Sequence, residues 1–125
     1  MIKVTRDPIV PGLVIDSVRG DSGHGAAVSF IGSLRASSAD GRQVRFAECE
    51  GDDRGTEQQL QQIGQEILAK WQLEDSAICH RVGRIEVGDV IMVVAIAAPH
   101  RQEAFEACQY AVDRAKESIL IREIL

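Results

Sequence analysis

The chain has 125 residues, 45% of them hydrophobic and 26% charged, and its 14 Lys and Arg stand against 19 Asp and Glu for a net charge of −5. That length makes one domain (1–125) with one core, and the composition excludes disorder. The acidic balance excludes nucleic-acid binding by general electrostatic attraction, so any anion site must be a local basic cluster on an acidic body.

From the start, Ile2 to Ile9 reads as a strand or extended arm ending near Pro8 and Pro11, followed by a short helix from Gly12 to Arg19. Gly20-Asp21-Ser22-Gly23-His24-Gly25 is a loop by composition. The run Ala27 to Arg35 reads as a strand, Ser37-Ser38-Ala39-Asp40-Gly41 as a turn, and Gln43 to Glu50 alternates like a half-buried strand. These two strands are expected to form an antiparallel hairpin.

After the loop Gly51-Asp52-Asp53-Arg54-Gly55, Thr56 and Gln59 make a capping-box pattern. Leu60, Ile63, Ile67, Leu68 and Trp71 then recur at helical spacing. Ala77 to Gly83 is a further strand and Val87-Gly88-Asp89 a tight turn.

The apolar run from Asp89 to Ala98 is too short to span a bilayer and rich in Val and Ile, so it reads as a strand buried on both faces. Pro99 ends it. A helix follows from about Arg101 to Ser118, with Ala104, Cys108, Ala111, Ala115 and Ile119 as its core stripe, and the apolar tail 119–125 reads as a last strand.

Cys49, Cys79 and Cys108 are odd in number and widely spaced, with no Cys-x-x-Cys pair. Neither a disulfide framework nor a zinc site is indicated, and no metal or cofactor is expected. The first residues lack the apolar core of a signal peptide and no segment reaches membrane-spanning length. A cytoplasmic chain with reduced thiols and no membrane partner is therefore expected.

Three places carry candidate chemistry. Pro99-His100-Arg101 sets an imidazole and a guanidinium beside the free N–H groups of a helix start, which suits a phosphate or carboxylate; solvated capping-turn residues are the plainer alternative. Arg35 closes a glycine-interrupted strand that a ligand can approach closely, though a strand-end arginine is also an ordinary surface charge. Lys116 shares a stripe with Phe105, Gln109 and Val112 along the edge of the last helix, either as a snorkelling lysine or as an amine that contacts an anion or moves a proton. Arg101 and Lys116 stand roughly 22 Å apart along that helix, so they share one small ligand only if a symmetric dimer brings them together.

The segments His80-Arg81-Val82-Gly83-Arg84-Ile85-Glu86-Val87-Gly88-Asp89, Ala98 to Cys108 and Asp113-Arg114-Ala115-Lys116, with Phe30-Ile31-Gly32 and Leu34-Arg35 before them, resemble the large, catalytic subunit of molybdopterin synthase. The resemblance implies an α+β fold of the α/β hammerhead type, with a mixed sheet packed on two main helices and a small β subdomain. It implies a homodimer flanked by two small ubiquitin-like sulfur-carrier subunits, together a heterotetramer. The carrier's C-terminal Gly-Gly thiocarboxylate would pass sulfur to cyclic pyranopterin monophosphate. Arg35, His100 and Arg101, with Ser33 and Leu34 beside them, would bind the pterin phosphate or the carrier's terminus, and Lys116 would be the catalytic lysine.

After its last helix that family usually carries a second lysine. Here the chain reads Leu120-Ile121-Arg122-Glu123-Ile124-Leu125, and the lysine's place falls at or beside Glu123. Arg122 is the nearby cation that a one-residue shift would make available for binding. Two rival readings are a non-catalytic homologue that dimerises and docks a carrier or other partner protein, and a small anion-binding α/β domain unrelated to sulfur transfer.

Overall fold

A computed structural model describes residues 1–19 and 25–125; the loop expected at 20–25 lies outside them, Gly25 excepted. The order is β1 (Ile2–Thr5), α1 (Pro11–Arg19), β2 (Ala26–Ser33), β3 (Phe46–Cys49), α2 (Asp53–Lys70), β4 (Asp75–Arg81), β5 (Gly83–Glu86), β6 (Val90–Ala98), α3 (Arg101–Ser118) and β7 (Ile121–Ile124). The larger sheet runs β1-β4-β6-β2 and the smaller β5-β3-β7. Among the described residues, only the β1–β4 pairing is parallel. The α+β class with a small second sheet is as expected.

β6 is the central strand, and its two-sided burial has a specific cause. Val93, Ala95 and Ala97 pack with Val14 and Val18 of α1 on one face of the sheet. Met92, Val94, Ile96 and Ala98 pack on the other with Leu60, Ile63 and Ile67 of α2 and the small side chains Ala104, Ala107, Cys108 and Ala111 of α3. Consecutive strand residues point to opposite faces, so a strand covered by helices on both sides must read as a continuous apolar run. Each fully buried Val or Ile contributes roughly 1.5–3 kcal/mol relative to exposure. α1 is thus a third packing helix beside the two main ones expected.

Three expectations are corrected. β2 does not pair with β3: it pairs with β6, from Ala26 opposite Ala98 to Ser33 opposite Val90. The turn is real, with a Ser37–Gln43 bridge and a Val44 N–H donating to the Ala36 carbonyl at 2.9 Å, but its two arms then diverge into different sheets. β3 alternates because it lies between β5 and β7 over the core, and alternation reports a covered face without naming the neighbour.

The second correction concerns α2, which starts a turn before Thr56. Asp52 is the N-cap, its carboxylate accepting from the Gly55 N–H, and Thr56 is buried inside the helix. Leu68 is exposed and Gly64 takes its place on the buried stripe.

The third is the strand expected at 77–83, which is two. β4 ends at Arg81, and Gly83, at φ +83°, turns the chain into β5 of the smaller sheet. A side chain at Gly83 would be strained in that left-handed conformation. α3 and the last strand fall where expected, and Ala104, Cys108, Ala111, Ala115 and Ile119 are all buried.

Candidate functional site

The two sheets and the end of α3 meet around a cleft of about 490 Å³. Ser33, Leu34, Arg35 and Lys116 line it together. At the end of β2 the register shifts between Gly32 and Ser33. The backbone of Leu34 is then clamped by the turn before β6: its N–H donates to the Asp89 carbonyl at 3.0 Å and its carbonyl accepts from Gly88 at 2.9 Å. With Leu34 buried and pinned, Arg35 leaves the sheet at the rim of the cleft as an exposed side chain. Lys116 comes from the last turn of α3, where the helix dipole favours a cation, and buried Ala115 and Ile119 beside it fix its direction. Among the described residues the side chains of Arg35 and Lys116 have no hydrogen-bond or ion-pair partner. Phe30, Ile91, Met92, Leu120 and Ile121 supply apolar walls.

The remaining candidates lie elsewhere. His100 is the N-cap of α3 without a side-chain capping bond, and with Arg101, Pro99, Gln102 and Gly25 it lines a separate surface depression at the far end of the helix. Arg122 projects from the outer face of the smaller sheet, where its guanidinium meets Glu48 and Glu50, each at 3.0 Å. One chain therefore brings together four of the seven candidates.

Two titratable cleft residues, His80 and Glu123, were not among those candidates. His80, at the end of β4, is 2% exposed and reaches the cleft floor. Its Nδ1 lies 2.6 Å from the Arg81 carbonyl, which can only accept, so Nδ1 carries the proton and Nε2 is left as an acceptor. Burial holds its pKa below the ordinary histidine value, partly opposed by that bond, so the ring is neutral near pH 7. The signal for it in the sequence was a histidine inside the apolar run Ala77-Ile78-Cys79. Glu123 is the other: on β7 it shares the inward face with Ile121 and lines the same cleft as the two cations.

The cysteines are not reactive groups. All three are free and buried, and burial pushes the Cys49 and Cys108 thiols up to about 11, with the Glu50 charge adding at Cys49. Cys79 is also raised by burial.

Fold and cleft together define a small α+β protein whose half-apolar cleft carries two cations, Arg35 and Lys116, that are unpaired among the described residues. Residues 4–118 match the family model described as MoaE protein. The chain is 39% identical to the molybdopterin synthase catalytic subunit of Halalkalibacterium halodurans over 94% of its own length and 74% of that protein. It is 37% identical to the Bacillus subtilis protein of the same name, over 95% and 74%. The solved molybdopterin synthase from Staphylococcus aureus superposes with a TM-score of 0.88 at 31% identity, covering 98% of this chain and 90% of that one. The chain belongs to the MoaE protein family. No helix among the described residues is long and apolar enough to cross a membrane.

Proposed function

We propose that the chain is the catalytic component of sulfur transfer from the thiocarboxylated Gly-Gly terminus of a small ubiquitin-like carrier to cyclic pyranopterin monophosphate, forming molybdopterin. The observation that carries this reading is the convergence of Lys116 and Arg35, both without a partner among the described residues, in one cleft of a chain of this family. A phosphate-bearing substrate and an acyl group under attack both develop charge that fixed cations stabilise. Sulfur leaving a thiocarboxylate is replaced by oxygen from water, so the carrier departs as a carboxylate. Buried cysteines with raised pKa values support a sulfur source outside this chain.

In this reading Arg35, with Ser33 and Leu34, receives the phosphate or the carrier's terminus, and Lys116 stabilises charge at the reacting centre. His100 and Arg101 complete the site of a second copy. Helix length supports that division, because fifteen residues of α3 separate Arg101 from Lys116 and keep them roughly 22 Å apart. The working unit is a homodimer carrying two small subunits, and the three free thiols fit a cytoplasmic setting.

Reconstitution tests the reading. The purified chain, the thiocarboxylated carrier and cyclic pyranopterin monophosphate should give the dithiolene product. Carrier binding without turnover would leave only a docking role, and a strictly monomeric mass would remove the shared site.

A further inference from the structure

Among the described residues, Glu123 is the one acidic side chain lining the cleft, and strand register puts it there. Along the β3–β7 ladder, Glu48 stands opposite Arg122 and Ala47 opposite Glu123. Ala47 and Cys49 are buried, so their face of the smaller sheet is the inner one, and Glu123 shares it. The carboxylate is exposed at the cleft and has no hydrogen-bond or ion-pair partner among the described residues.

An ionised carboxylate only accepts hydrogen bonds, and it repels the phosphate that Arg35 receives. It therefore faces a part of the ligand that is rich in N–H groups. The pyrimidine edge of a pterin presents an exocyclic amine and a ring N–H side by side, the fork that one carboxylate accepts through two parallel bonds. Phe30, Ile91 and Met92 line the same cleft and offer apolar surface for the flat ring.

We propose that Glu123 grips the aminopyrimidine edge of the pterin substrate, with the phosphate directed to Arg35, and Lys116 left at the reacting centre. This rests on the function proposed above. It makes Glu123 a specificity-determining residue.

The test compares three probes on the purified chain by calorimetry: cyclic pyranopterin monophosphate, 6-hydroxymethylpterin, which lacks the phosphate, and inorganic phosphate. E123Q should weaken both pterins roughly ten- to a hundredfold, the loss expected for a charge-assisted hydrogen bond, and leave inorganic phosphate unchanged or slightly tighter. E123K should weaken both pterins too, although it adds a cation. In the reconstituted reaction E123Q should raise KM and leave kcat nearly unchanged. Unaltered pterin affinity in E123Q, tighter pterin phosphate binding in E123K, or equal losses for pterin and inorganic phosphate would overturn the assignment while wild-type turnover stands. A wild-type chain that neither binds nor converts the pterin phosphate would overturn the underlying function, and this inference with it.

Discussion

Arg122 and Glu123 are adjacent on β7 and point to opposite sides of the smaller sheet, Arg122 out to Glu48 and Glu50 and Glu123 into the cleft that Lys116 lines. A one-residue slip that brought Arg122 inward would also turn Ile121 out of its packing against the core, because strand side chains alternate. The nearest cation in sequence is thereby removed from the site, and the cleft's positive charge is left to Arg35 and Lys116.

Lys116→Ala and Arg122→Ala should therefore separate cleanly. Lys116 is exposed, so its removal costs little stability, but it should lower kcat about a hundred- to a thousandfold, the usual loss when a group stabilising transition-state charge is deleted. Arg122→Ala should leave kcat and KM near wild type and cost at most about 1 kcal/mol from its exposed ion pairs. Steady-state kinetics with urea titrations of both variants decide the point. A kcat loss in Arg122→Ala comparable to that in Lys116→Ala would contradict the facing of β7.

The shared site predicts complementation. Arg101→Ala and Lys116→Ala should each be inactive as homodimers. Mixed and allowed to exchange, they should regain about one quarter of wild-type activity: half the dimers are hybrids, and each hybrid has one intact site of two. No recovery after verified exchange would show that Arg101 and Lys116 do not serve one site.

What the sequence made legible follows from where each signal originates. β6 and α3 were readable to within a residue because two-sided burial and a small-residue stripe are written locally. The partner of β3 was not, since the pattern of Gln43 to Glu50 is the same whether β2 or β7 lies beside it. The start of α2 was misread because Asp52 and Thr56 are both good capping residues, and burial of Thr56 settled between them. Within the site, Lys116 and Arg35 were found individually, but their meeting depends on the clamp between Leu34 and the Gly88–Asp89 turn, a long-range contact. His80 looked like part of an apolar strand, and only the junction of the two sheets makes it a cleft residue.

The clamp between α2 and α3 gives an acid limb to stability. Glu66 accepts from Arg114 Nε at 2.9 Å and from the Tyr110 hydroxyl at 2.7 Å. Those bonds, the Arg114 contact foremost, hold its carboxyl down to about 2. The folded pKa lies below the ordinary value of 4.5, so this stabilisation is fully present above that value and is lost as pH falls toward 2. Glu66→Gln should unfold at lower urea than wild type near neutral pH, and the two midpoints should converge as pH approaches 2. Parallel midpoints across that range would rule the clamp out as a source of acid sensitivity.

His80 adds a second limb at higher pH. Its ring is neutral when folded, with Nδ1–H donating to the Arg81 carbonyl, Cys49 Sγ 3.9 Å away and the charged cleft groups Arg35, Lys116 and Glu123 around it. Burial lowers the folded pKa, so as pH falls through about 6.5 the unfolded chain takes up a proton that the folded chain refuses. Stability is therefore full above that pH and declines below it. His80→Asn keeps an N–H donor near the Nδ1 position while removing the titrating ring. It should cost about 1–2 kcal/mol near pH 8 through lost packing and abolish the part of the stability slope below about pH 6.5 that His80 supplies. Urea midpoints of both proteins at intervals across that range read the difference directly. An unchanged slope in His80→Asn would mean that the buried ring binds its proton equally well in both states, and His80 would then be no neutral acceptor at the floor of the cleft.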